Sequence, residues 1–239
     1  MYQNTILEPI SSELRLSLNL ENVDRLFPGF MLGDFAVLYG SSTIKSLIFD
    51  LCVRAQLPCQ LGGLSTNVLF VDGDNSFRLY SVSTLAQRYE LDPREVLGRI
   101  FISRAFTVYQ HVSLLFEKLE KAIEKYDSKL VILSKPFKLY LNQDVQKQEA
   151  EEVFIQLTDF LSDFAKENQV IVIATQPSHF WSKRSSFFKE VMCRKANVVA
   201  SIRKFSNRPN FVLQKHSLFK SGKVELSSGN VTLLDFMVA

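Results

Sequence analysis

Five continuous apolar runs constrain this chain more than any other feature. They lie at 35–39 (FAVLY), 68–71 (VLFV), 100–102 (IFI), 130–133 (LVIL) and 170–174 (VIVIA). An alternating apolar/polar pattern would mark strands with one wet face. Unbroken runs mark strands buried on both faces, as in a parallel sheet covered by helices. Between the runs the period changes to that of a helix. Leu47, Ile48, Leu51 and Cys52 share one face, and so do Val82, Leu85, Ala86 and Tyr89. Val108, Val112, Leu115, Leu119 and Ala122 form a longer stripe, and Val153, Leu157, Phe160 and Phe164 another. Asp92, Pro93 and Glu95 have the types expected of an N-cap and first helical turn. Strands alternating with helices predict an α/β fold with a mostly parallel sheet flanked by helices. Beyond residue 198 the pattern becomes short strands at 198–203, 210–215, 223–226 and 231–236, separated by turn signals. That predicts a C-terminal antiparallel meander. We expect a single domain over 1–239, with an extension at 1–20, a core at 21–205 and C-terminal strands at 206–239.

Composition excludes several classes. The chain has 239 residues, 46% hydrophobic and 12% aromatic, with 9 Gly and 7 Pro, which rules out disordered and collagen-like states. Cys52, Cys59 and Cys193 make neither a disulfide framework nor a CxxC metal knuckle, and His111, His179 and His216 share no ligand spacing. No metal site is therefore expected. The N-terminus lacks the pattern of a signal peptide, and no apolar stretch is long enough to span a bilayer. We expect an intracellular protein, in cytoplasm or nucleoid or in a nucleus, that does not engage membranes. A net charge of +3 is mild, so binding to nucleic acid would need a local basic patch.

Two segments carry candidate chemistry. Gly40, Ser41, Ser42, Thr43, Lys45 and Ser46 follow the first core strand and open a helix, where a phosphate-binding loop belongs. Such a loop has six steps from its first Gly to its Lys; here there are five, and the residue before the Lys is the β-branched Ile44. The segment also reads as an ordinary strand-to-helix turn with one exposed lysine. The second segment, 177–204, reads as a basic loop. Trp181, Lys183, Arg184, Lys189, Arg194 and Lys195 lie in it, with Arg203, Lys204, Phe180, Phe187 and Phe188. Basic groups hold phosphates and aromatic faces stack on unpaired bases, so this composition suits single-stranded DNA. It equally suits a solvated loop or a protein-binding one.

Residues 22–40 resemble the entry to the core of RecA-fold recombinases, the RadA family of archaea and its eukaryotic relatives. Gln56, Leu57 and Pro58 with Gly62 and Gly63, the run 71–78, and residues 91–97 with 104–106 match further blocks of that family in order. The resemblance covers about residues 14 to 236 and implies a RecA-like P-loop NTPase core. Carried over residue by residue, it places Asp74 on the family's catalytic Glu. Gln176 falls on the γ-phosphate-sensing Gln. Ser134 stands where the family has the Walker B Asp. It puts 177–204 at the second DNA-binding loop and 135–140 at the first. A shortened loop and a missing carboxylate lead us to expect degenerate Walker motifs and no efficient ATP hydrolysis, because phosphoryl transfer depends on positioning and charge. No cofactor is the expectation; ATP with magnesium is the alternative. About twenty residues precede the core, without the family's Phe-x-x-Ala assembly segment. The resemblance thus implies a core-only RadA paralog. It would bind single-stranded DNA, a recombinase or another paralog subunit, and modulate homologous recombination and DNA repair. An active DNA-dependent ATPase and a purely structural subunit of a paralog complex are the alternatives.

Overall fold

A computed structural model describes residues 14–40, 43–142, 145–177, 182–205 and 208–226. The strand candidate at 231–236 lies outside them, as do Ser41, Ser42, His179, Phe180, Trp181 and most of the extension at 1–20.

Two short strands, β1 (Arg15–Leu16) and β2 (Phe30–Met31), pair antiparallel around helix α1 (Glu21–Leu26). The main sheet is built from β3 (Phe35–Gly40), β4 (Asn67–Asp72), β5 (Ile100–Arg104), β6 (Ser128–Ser134), β7 (Ile171–Pro177), β8 (Val198–Phe205), β9 (Arg208–Lys215) and β10 (Gly222–Glu225). Its order is β10-β9-β8-β3-β7-β6-β4-β5. Strands β3 to β8 are mutually parallel, and β8, β9 and β10 form the antiparallel meander. The fold expected from the apolar runs is the fold observed.

Helices cover both faces, which is why the runs are continuous. Ala36 and Leu38 of β3 join a core with α2 (Thr43–Arg54), α3 (Leu79–Arg88) and α4 (Pro93–Gly98). Phe35, Val37 and Tyr39 point the other way, into a core with α5 (Val108–Ser113), α6 (Leu119–Lys125), α7 (Lys147–Glu167) and α8 (Lys183–Lys195). Asp92 caps α4 as its sequence predicts, accepting from the Arg94 amide at 2.8 Å. The stripe from Val108 to Ala122 is not one regular helix, because Leu114–Lys118 takes a π-helical form. Among the described residues no helix is long and apolar enough to cross a membrane.

Helix α8 corrects the sequence reading of 177–204 as a loop. Ser182 is an N-cap that accepts from the Ser185 amide at 3.1 Å, and Ser185 Oγ accepts from the Ser182 amide at 3.2 Å. This reciprocal cap starts a helix. Phe188, Val191 and Met192 then fall on one buried face. The abundant basic residues hid that short stripe. Most of the helix's basic side chains lie exposed or half-buried, outside this apolar face.

Candidate phosphate loop and basic helix

The parallel strands place the chain's candidate chemistry at their C-terminal edge, where ligands bind in open α/β sheets. β3 enters the turn at Gly40, a position that has no room for a side chain. A Cβ there would lie 2.7 Å from Ile44 Cγ1 and 2.8 Å from the Ile202 carbonyl oxygen. Ile44, 4% exposed, packs into that space from the first turn of α2. Gly40 thus has a packing reason to be glycine, whatever the turn binds. Thr43 is buried, Lys45 exposed and Ser46 half-buried. Partial burial and then the charge of Lys135 push the Lys45 ammonium down from its ordinary range, while Asp74 pulls it back up. Arg78 acts on Lys45 in the same direction as Lys135. Lys45, Lys135, Arg78 and Asp74 therefore share one electrostatic neighbourhood.

Two carboxylates follow β4, and they do different work. Asp72 is buried and organises the backbone. It accepts from the Ser76 and Phe77 amides at 2.9 and 3.0 Å and from Ser76 Oγ at 3.2 Å. Its register partner across the sheet is Ser134, at the end of β6. Gly73 lets the two strand ends approach: its amide donates to the Ser134 carbonyl at 3.2 Å, and a Cβ would sit 3.1 Å from that oxygen. This approach delivers Ser134 and Lys135 to Asp74. Lys135 Nζ lies 2.6 Å from Asp74 Oδ2, and Ser134 Oγ donates to Oδ1 at 3.1 Å. Ser134 Oγ is also 2.7 Å from Ser76 Oγ. Burial alone would raise the Asp74 carboxyl. The hydrogen bond and charge of Lys135, with Ser76 and Ser134, outweigh it and hold Asp74 below its ordinary value.

This geometry does not suit a divalent metal. Magnesium needs an oxygen-rich set in octahedral array, anchored by carboxylates. The strand end that would supply one carries Ser134, and Asp74, its side chain 4% exposed, is already neutralised by an ammonium. Among the described residues no cluster of three or more His, Cys, Asp or Glu could hold a metal. Sequence reasoning missed Lys135 in this role and set it in a candidate DNA loop. That segment folds as a 3-10 turn, Pro136–Leu141, with Pro136, Phe137, Leu139 and Tyr140 buried and Lys138 exposed.

The other face of the edge carries the basic residues of α8. Lys183 is exposed, while Arg184 and Lys189 are half-buried. Lys189 Nζ sits 4.2 Å from the centre of the Tyr39 ring, and Arg203 Nη2 donates to Tyr39 Oη at 2.8 Å. Arg184 Nε and Nη2 are buried and have no hydrogen-bond partner. Two of the expected DNA contacts are already engaged: Arg194 pairs with Glu190 at 2.7 Å, and Lys195 pairs with Asp159. Gln176, 1% exposed, turns toward α8. Its Nε2 lies 2.8 Å from Met192 Sδ, and its Oε1 has no partner. The structure therefore gathers Gly40, Thr43, Lys45, Ser46 and Asp74 on one side of the sheet edge, and Gln176, Lys183, Arg184 and Lys189 on the other. Trp181 lies outside the described residues.

Comparison with known proteins agrees with the fold. A curated relative, the DNA repair and recombination protein RadA of Cenarchaeum symbiosum (strain A), is 34% identical over 82 residues. That match covers 34% of this chain and 20% of the relative, so the chain is similar to about a fifth of that protein's length. The model of the Rad51 family matches residues 11–189. With the family's parallel core over most of its length, the chain belongs to the Rad51 family.

Proposed function

We propose that this chain acts in homologous recombination and DNA repair as a non-hydrolysing paralog within its family. It binds single-stranded DNA, a recombinase or a second paralog, and so modulates filament assembly. The observation that carries this reading is the state of Asp74. A carboxylate that orients an attacking water needs a lone pair directed at that water. Here Oδ2 faces the Lys135 ammonium and Oδ1 accepts from Ser134. The turn before Lys45 is one residue short, and no carboxylate ends β6. The Walker motifs are degenerate in this reading, and residues 21–205 act as one core.

DNA contact rests on the exposed basic residues of α8. Arg194 and Lys195 pair with acidic neighbours, and Lys183 is the exposed cation on which the interaction chiefly rests, with Arg184, Lys189 and Arg203 beside it. Binding of a labelled oligonucleotide, followed by anisotropy across a salt series, should weaken with a log–log slope of about −0.7 per phosphate neutralised. Lys183→Ala should flatten the slope by about one such step, while Arg194→Ala changes it little. The paired state of Arg194 and Lys195 favours a second reading, a structural subunit that touches no DNA. Absence of binding even at low salt would establish that reading and remove DNA from the proposed function.

A further inference from the structure

The turn between β9 and β10 is held by a histidine doing the work of an asparagine. His216 follows β9, and its Nδ1 accepts from the Leu218 amide at 2.9 Å and from the Phe219 amide at 3.2 Å. Bonds from the amides two and three residues on are those an Asn or Asp side chain makes when it caps a turn. The difference is chemical. An Asn oxygen accepts at any ordinary pH, whereas an imidazole nitrogen accepts only while it carries no proton. The two amides therefore fix the neutral ring with its hydrogen on Nε2. That nitrogen is buried, with no hydrogen-bond partner among the described residues.

The surroundings offer nothing to a second proton. The His216 ring lies 4.5 Å from the Phe219 ring and 5.6 Å from that of Phe27, just after α1. The Arg15 guanidinium of β1 sits 5.7 Å from the centre of the Phe219 ring. Burial and then the charge of Arg15 push the imidazole below its ordinary value. The carboxylates on the neighbouring elements are engaged elsewhere. Glu21 pairs with Arg25 within α1, Asp24 accepts from Ser17 Oγ, and Glu225 of β10 pairs with Arg208. Lys215 reaches the Arg194 carbonyl at 2.8 Å, while Lys220 and Lys223 are exposed.

We propose that His216 is an acid-sensitive latch: a proton taken up at Nδ1 displaces both amides and frees the turn that seats Phe219 beside Arg15. The N-terminal strand and the C-terminal meander then lose their shared corner, while the parallel core does not depend on it. A histidine held below its unfolded value of 6.5 contributes stability that is full above that value and fades as pH falls beneath it. The inference is independent of DNA and nucleotide binding.

Hydrogen exchange read by NMR on the wild-type chain tests this. From about pH 7.5 to about pH 5, the protection factors of the Leu218 and Phe219 amides, corrected for intrinsic exchange, should fall by about ten-fold or more. Those of β3 and β7 should hold. His216→Asn should keep the two amides protected across the range, because its Oδ1 replaces Nδ1 without titrating. His216→Ala should leave them unprotected throughout. Wild-type protection that does not change with pH would overturn the proposal. So would a fall in acid that His216→Asn shares, since another group would then be titrating. Should the variants fail to fold, the nitrogen spectrum of the wild-type imidazole decides. A neutral ring with its hydrogen on Nε2 at neutral pH, charging as the two amides lose protection, supports the latch, and a hydrogen on Nδ1 overturns it.

Discussion

Replacing Phe188 with alanine should lower the unfolding free energy by about 3–5 kcal/mol. The side chain is 0% exposed and sits in an aromatic cluster. Its ring lies 4.7 Å from Phe154 and 6.1 Å from Tyr140, centre to centre, and Phe187 flanks it at 5.6 Å. Truncation removes the transfer free energy of the ring and leaves a cavity between α7, α8 and the turn at 136–141, where helices on a rigid sheet can collapse only in part. Urea denaturation should show a lower midpoint with an unchanged slope. The sequence reading grouped Phe188 with residues that stack on bases. A variant of normal stability with weakened DNA binding would favour that grouping and contradict the buried placement.

Arg54→Ala should be about as damaging, at about 3–5 kcal/mol, because it breaks a buried polar network from one side. Arg54 is 1% exposed at the end of α2. Its Nε donates to the Ser17 carbonyl at 2.8 Å, Nη2 to the Leu61 carbonyl at 3.2 Å and Nη1 to Tyr89 Oη at 3.4 Å. Tyr89 Oη in turn donates to Asp50 at 2.8 Å. One guanidinium thus joins the N-terminal segment, the 3-10 turn Cys59–Leu61 and α3 to α2. The defect should depend on pH. Burial pushes Asp50 up to about 6, with Tyr89 and then Arg54 opposing it. A carboxyl raised above its unfolded value of 3.8 contributes stability below that value, and the contribution fades as pH rises through about 6. Without Arg54 the Asp50 anion is worse accommodated and its carboxyl rises further. The variant's deficit should therefore be larger at neutral pH than near pH 4. A deficit independent of pH would show that Arg54 acts only through its carbonyl contacts.

These residues show where sequence reasoning reaches its limit. Burial on both faces leaves a local trace, so each strand of the parallel core is legible as a run of Val, Ile and Leu. Asp92 is legible because a cap acts on an amide two residues away. The short spacing from Gly40 to Lys45 and the serine at 134 are also visible in one dimension. The pair of Asp74 and Lys135 is not. It joins residues 61 apart in the chain through the register of β4 with β6 and the narrowness of Gly73. Arg54 escaped notice for a related reason: a cation in an apolar stripe looks like a helix end until the carbonyls that surround it are in place. Helix α8 was hidden by composition, since seven of its thirteen residues are basic or serine and only the Ser182–Ser185 cap marks its start.

In the proposed function Asp74, tied to Lys135, does not drive hydrolysis. Steady-state phosphate release with ATP, magnesium and single-stranded DNA, measured on the wild-type chain beside Lys45→Ala, tests it most directly. The account predicts that the two rates are indistinguishable, with or without DNA. A DNA-stimulated rate that Lys45→Ala abolishes would contradict it and identify the chain as an active ATPase.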